Sequence, residues 1–153
     1  MMMDAFSRAR QTQDSSGVGG LALMVMTIAA EIFESAPAAQ AHGFFVTVGR
    51  RMAQLEPLDG VSDASVVAER INAFWQALNW GEIELTLGED AIIVRHWDLP
   101  NKLTPDPQVH WAKMLLGVLE GAYDSWFRSM GSGPALQTTA AWKGDTVELR
   151  HGR

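Results

Sequence analysis

Four histidines, His42, His96, His110 and His151, are the first side chains to weigh for chemistry, because imidazole titrates near neutrality and is a common metal ligand. A zinc site needs three or four ligands at workable spacing, and the chain contains neither H-x-E nor H-E-x-x-H. His96 falls in a predicted strand, His110 opens a predicted helix and His151 lies close to the end, so nothing in their spacing points to a shared metal. Cysteine is absent, which removes thiolate zinc sites, disulfides and thiol nucleophiles together. No G-x-S-x-G elbow, phosphate loop or G-x-G-x-x-G is present, and the lone Gly17-Val18-Gly19-Gly20 opens a helix without a strand before it. Glu82 with Glu84, or Glu89 with Asp90, would suit the acid pair of a glycosidase, but Glu82 and Glu84 share the solvated face of a strand. Trp75, Trp80, Trp97, Trp111, Trp126 and Trp142 can all stack on sugar rings. Trp75, Trp111 and Trp126 lie on core stripes, so packing accounts for them first. No nucleophile, base or metal constellation is left, and the residues predict neither catalysis nor a cofactor.

Composition narrows the classes further. The 153 residues suit one domain with a short tail, and 47% apolar against 20% charged residues excludes a disordered chain. Twelve Lys and Arg against eighteen Asp and Glu give a net charge of −6, which argues against nucleic acid as a partner, because phosphate binding draws on clustered cations. Arg8 and Arg10 ahead of the apolar run Leu21–Ala30, with small residues through Ala41, imitate a secretory signal. The charges stand about ten residues from the run, however, and Glu31 and Glu34 sit where cleavage would occur. Leu21, Met24, Val25, Ile28 and Ile32 instead fit one stripe of an amphipathic helix, predicted to face the core. A transmembrane span needs about 20 apolar residues, more than Gly17–Ala30 supplies.

The elements that would position these residues read as α+β. Residues 1–19 are polar and aperiodic, a flexible N-terminal arm, and 20–153 form one domain. A first helix runs from about Gly20 to Glu34 and stops before Pro37. A second, about Ala38 to Leu55, carries Ala41, Phe44, Phe45, Val48, Met52 and Leu55 on one face. Ser62 or Asp63 caps a third, with Val67, Ile71, Phe74, Trp75 and Leu78 as its buried stripe, and Asn79-Trp80-Gly81 stops it. The period then changes from 3.6 to 2: Ile83, Leu85 and Leu87 alternate with polar residues, and Gly88-Glu89-Asp90 turns the chain into Ala91–Trp97. A proline-rich loop leads to a long helix, about Pro107 to Met130, striped by Trp111, Met114, Leu115, Val118, Leu119, Ala122, Trp126 and Phe127. A last hairpin joins Leu136–Trp142 to Thr146–Arg150 through Lys143-Gly144-Asp145. Three helices, a hairpin, a helix and a hairpin predict a four-stranded antiparallel sheet covered by helices.

The long helix carries Gly117 and Gly121 in its interior, on a face shared with Lys113, Asp124 and Arg128. Each mid-helix glycine costs about 0.5–1 kcal/mol relative to alanine, so this face predicts a close approach. Its partner is either the protein's own sheet or a second copy of the chain.

Four segments then carry a resemblance. Val48-Gly49-Arg50-Arg51-Met52-Ala53, Asn79-Trp80-Gly81, Ile93-Val94-Arg95-His96-Trp97-Asp98-Leu99-Pro100 and Val118-Leu119-Glu120-Gly121-Ala122-Tyr123-Asp124-Ser125-Trp126 resemble, in order and spacing, the BcsD family, the D-subunit of bacterial cellulose synthase encoded in cellulose-secretion operons. The resemblance covers roughly Leu21 to Arg150. It implies a non-catalytic α/β protein whose dimers assemble into an octameric ring or cylinder, with passages that guide nascent β-1,4-glucan chains and help order fibres. It implies as partners further copies of the chain, the cellulose synthase subunits at the inner membrane and a proline-rich accessory protein. The expected location is the cytoplasmic side of that membrane, with the periplasm as the alternative. A sliding polymer needs many weak contacts, and the arm supplies short polar side chains for them. Phe6, Ser7, Gln11, Thr12, Gln13, Ser15 and Ser16 are therefore the expected glucan contacts, in the region to which the resemblance also points. This chain departs from the family pattern in its longer, glycine-rich arm and in Ala36-Pro37-Ala38-Ala39. Two other classes stay open. The element order is also similar to vinyl-reductase-like and haem-NO-binding sensor domains, for which His42 and His110 are the axial candidates and an enclosed pocket the mark. A glycan hydrolase is the other, and it lacks its acid pair.

Overall fold

The structure, a computed structural model, describes residues 18–100, 106 and 109–153. Its elements are α1 (Val18–Ser35), α2 (Ala38–Ala53), α3 (Ala64–Ala77), β1 (Glu82–Leu87), β2 (Ala91–Trp97), α4 (His110–Ser129), β3 (Gln137–Lys143) and β4 (Thr146–Gly152). The fold is α+β, in the predicted order.

Local chemistry sets the boundaries. Pro37, with φ −56° and ψ 146°, separates α1 from α2. Of the two candidate caps for α3, Asp63 is the one used, its carboxylate accepting the Ser65 N–H at 2.9 Å. At the other end of α3, Asn79 adopts φ +56°, and the N–H groups of Asn79 and Trp80 return to the carbonyls of Gln76 and Trp75 at 3.1 and 2.8 Å. Those two bonds make a Schellman motif, with asparagine filling the left-handed position. The long helix starts three residues later than the sequence predicts. Val109 is left-handed at φ +57°, and the Asp106 carboxylate receives the N–H groups of His110 and Trp111 at 2.9 and 3.0 Å.

The strands form one antiparallel sheet in the order β1-β2-β4-β3. Register places Ile83 opposite His96, His96 opposite Val147 and Val147 opposite Trp142 on one face, which α3 and α4 cover. One residue out of step, Glu84, Arg95 and Glu148 line the opposite face. Asn72 of α3 protects the outer edge of β1: its side-chain amide donates to the Ile83 carbonyl at 3.0 Å and accepts the Ile83 N–H at 2.7 Å.

Helix α4 belongs to two cores at once. Toward the sheet, Leu119, Tyr123, Trp126 and Phe127 pack with Val67, Ile71, Trp75, Val94, Val147 and Leu149. Toward α1 and α2, Trp111, Met114, Leu115 and Val118 pack with Met26, Ala29 and Phe45. All eight residues of its predicted stripe are buried.

Helix α1 corrects the sequence reading. Leu21, Met24, Val25 and Ile28, predicted to face the core, are 40–59% exposed, while Met26 and Ala29 are buried. The helix is apolar around most of its circumference, so its periodicity does not single out one face. The face with smaller residues, centred on Ala29, is the one that lies against α2 and α4. Phe44, Leu55 and Leu78, also placed on buried stripes, are exposed as well.

Candidate functional site

The glycine face of α4 lies against α2 of the same chain, not against the sheet. A Cβ added at Gly121 would sit 1.9 Å from the Val46 carbonyl oxygen, and one at Gly117 would sit 2.8 Å from the Phe45 Cβ. Gly49 of α2 answers from the other side, since its added Cβ would meet the Val118 carbonyl oxygen at 1.9 Å. The two helices meet backbone to backbone at these glycines, leaving no room for a side chain at Gly121 or Gly49. The close approach inferred from these glycines is therefore accounted for inside one protomer. Of the five residues expected at an oligomer interface, Gly117, Gly121 and Asp124 are buried, while Lys113 and Arg128 keep contact with solvent.

Beside this crossing runs a buried hydrogen-bonded chain. The Trp75 indole N–H donates to the Tyr123 hydroxyl at 3.0 Å, and Tyr123 donates to His96 Nδ1 at 2.9 Å. His96 Nε2–H then donates to the Trp80 carbonyl at 2.6 Å. This order requires a neutral imidazole protonated on Nε2. Burial pushes the His96 pKa down to about 4, although its bond to the Trp80 carbonyl pulls the other way. Burial likewise raises the Tyr123 hydroxyl well above its ordinary value. Every polar atom of these side chains is satisfied and neither titratable group faces solvent, so the arrangement is structural.

A second cluster surrounds Asp124. Its carboxylate accepts Arg128 Nε–H at 2.9 Å and the Thr138 hydroxyl at 2.8 Å, with Arg50 at 3.4 Å. Burial acts to raise its pKa, but bonds from Arg128 and Thr138, with the charges of Arg128 and Arg50, outweigh it and hold the carboxyl below its usual range. Because Thr138 donates to Asp124, His151 Nδ1–H must donate to Thr138, at 2.7 Å. His151 Nε2 is then a buried acceptor with no partner among the described residues. Burial lowers the His151 pKa, the Arg128 charge adds to that, and Asp124 opposes it.

Two depressions reach the surface. A cleft of about 600 Å³ between α1, α2 and α4 is lined by Phe33, Glu34, Ala38, His42, His110 and Lys113. His42 pairs with Glu120 and His110 with Glu34 at 3.4 Å, while the Phe33 and His110 rings stack 5.4 Å apart. These are the two histidines singled out as axial candidates, and both are engaged with carboxylates in an open cleft. A groove of about 770 Å³ lies between the end of β2, the first turn of α4 and the β3–β4 turn. Among the described residues, no group of three His, Asp or Glu side chains is arranged to hold a metal ion. No described helix is long and apolar enough to cross a membrane.

The four segments that carry the family resemblance meet in this geometry. Gly49 and Gly121 make the helix crossing, while Trp80, His96 and Tyr123 belong to one hydrogen-bonded chain. A family model described as the D-subunit of cellulose synthase matches residues 8–152. The chain belongs to this cellulose synthase family, BcsD. A comparison with curated proteins returned no significant match.

For this BcsD-family chain, the expected glucan contacts Phe6, Ser7, Gln11, Thr12, Gln13, Ser15 and Ser16 lie outside the described residues. Sequence reasoning missed the roles of Gly49, Tyr123 and His96. Gly49 was legible only as a mid-helix glycine, and His96 only as a polar residue at an inward position of an apolar strand.

Proposed function

We propose that this BcsD-family protein is a non-catalytic accessory of cellulose synthesis, a scaffold whose copies form dimers and then an octameric ring that guides β-1,4-glucan chains and aids fibre order. The observation that carries this reading is the apolar face of α1. Leu21, Met24, Val25 and Ile28 share one stripe of the helix and are each 40–59% exposed. A contiguous apolar face on a soluble protomer marks an interaction surface, and a second copy is the partner that closes a symmetric assembly. The family supports glucan as the guided polymer. Contact between the ring and the synthase subunits, with a proline-rich protein as a further partner, and a place on the cytoplasmic side of the inner membrane complete the proposal.

Native mass spectrometry tests it. The wild-type protein should give one discrete oligomer, and Met24→Glu with Ile28→Glu should give smaller species that retain helical circular dichroism. A monomeric wild type, or a double variant of unchanged mass, would overturn assembly through α1. Deleting residues 1–16 should leave the oligomer intact and reduce cellulose order in the producing cell. A strain lacking the whole chain that makes cellulose of normal yield and order would overturn the guiding role itself.

A further inference from the structure

Strand β1 ends the sheet on one side and β3 ends it on the other. The two edges are finished differently. On β1, Asn72 takes both the N–H and the carbonyl of Ile83. On β3, the two-residue turn Gly144-Asp145 makes Lys143 and Thr146 a hydrogen-bonded pair, and the register alternates from there. Lys143, Ala141, Thr139 and Gln137 therefore bond to β4, while the N–H and C=O groups of Trp142, Ala140 and Thr138 point away from it. Among the described residues, no backbone group bonds these from the outer side. A seven-residue edge without proline or bulge, with Lys143 as its one charge, is a template for a further strand.

We propose that β3 pairs antiparallel with β3 of a second copy about a two-fold axis at Ala140, joining two sheets of four strands into one of eight. The inference rests on the assembly reading above and gives it a second contact. An isologous contact uses one patch twice and closes at two copies. The α1 contact is of that kind, so any assembly larger than a dimer needs another surface. Two isologous contacts alternating around a ring close an even-numbered assembly. The strand also fits its own copy. With Ala140 opposite Ala140, Thr138 of one copy faces Trp142 of the other, and each of these pairs exchanges both backbone hydrogen bonds. Thr139 then faces Ala141, and Lys143 meets the neutral Gln137, so no like charges are opposed. The middle of the strand, Thr139-Ala140-Ala141, is small enough for the backbones to reach the ladder spacing of about 4.8 Å. In the head-to-tail alternative, β1 of one copy would add to β3 of the next and run on as a fibre. The Asn72 clasp on β1 disfavours it.

The chain has no cysteine, so an introduced pair reports this contact without background. In the proposed register Thr139 and the second copy's Ala141 form a non-hydrogen-bonded pair. Their Cα atoms would stand about 4.5 Å apart, inside the roughly 4.4–6.8 Å that disulfides span. Both residues are exposed on the outer face of the sheet. Full-length Thr139→Cys co-expressed with Ala141→Cys should give a disulfide-linked dimer on mild oxidation, and either variant alone at least tenfold less of it. Ala140→Pro removes an outward N–H and no bond to β4. It should leave species no larger than a dimer by native mass spectrometry, with circular dichroism unchanged. Adding Met24→Glu and Ile28→Glu to it should give monomer. Unlinked Thr139→Cys and Ala141→Cys protein of wild-type native mass would overturn the pairing, as would a folded Ala140→Pro of unchanged mass. Where Ala140→Pro does not fold, the disulfide alone decides. Edge amides protected from hydrogen exchange only while residues 1–16 are present would assign the edge to the chain's own arm and also overturn the pairing. In each of these cases the α1 contact stands. It fails separately, on an unchanged mass of Met24→Glu with Ile28→Glu.

Discussion

Helices α4 and α1 are both rich in apolar residues, yet the fold treats them in opposite ways. Helix α4 is enclosed from two directions: sheet and α3 against Leu119, Tyr123 and Trp126, and α1 and α2 against Trp111, Met114 and Val118. Helix α1 touches the rest of the protomer along Met26, Ala29 and Phe33 and leaves Leu21, Met24, Val25 and Ile28 in solvent. Two kinds of close contact are therefore kept apart. The tightest approach, glycine to backbone, is made within the chain, and the broad apolar face of α1 stays exposed on the protomer. A mid-helix glycine marks intimacy with a neighbouring backbone without saying whose backbone it is.

That contrast is broken most sharply at Gly121. Gly121→Ala places a methyl 1.9 Å from the Val46 carbonyl oxygen, forces α2 and α4 apart, and should cost about 3 kcal/mol or more, read as a fall in the urea midpoint or as insoluble protein. Substitution of Gly117 and Gly121 should accordingly damage the fold of the protomer before it alters the assembly.

Acid tests the interior next. His96 has an ordinary pKa of 6.5 and a folded value of about 4, so between those values the unfolded chain binds a proton that the folded chain refuses. Its contribution is complete above pH 6.5 and is lost as pH falls toward 4, by at most roughly 3 kcal/mol. The lowered His151 acts in the same direction. Urea unfolding followed across pH 4–7 should show stability rising with pH, and His96→Gln should flatten the rise.

Tyr123→Phe is the smaller interior probe. It leaves the Trp75 indole N–H and His96 Nδ1 without their partner and should cost about 1–3 kcal/mol with the fold retained. Smallest of all, Met24→Ser and Ile28→Ser on exposed α1 should change the stability of diluted protomer by no more than about 0.5 kcal/mol, while lowering the native mass. A large loss of protomer stability from these two would place α1's outer face inside the protomer's own cooperative unit and erase the contrast.

The sequence by itself determined the elements and much of their pairing. Period-2 alternation from Ile83, turn residues at Gly88 and Gly144, and an unbroken stripe on α4 each depend on neighbours a few residues away, and such local signals survive without a tertiary context. A cap at Ser62 or Asp63 and Pro37 as a stop are legible for the same reason, and the structure selects Asp63. The start of α4 was not, because Asp106 captures the first N–H groups from a position that a stripe does not reveal. Only the tertiary structure decided which face of α1 is buried, which backbone Gly121 touches, and that His96, Tyr123, Trp75 and Trp80 form one hydrogen-bonded chain. It also brought Trp111 and Trp142, thirty-one positions apart, to one groove. A helix that is apolar on most sides, or a glycine that invites any close neighbour, specifies a contact without specifying its partner, and the partner is chosen by which surfaces remain once the sheet and α4 have closed on each other.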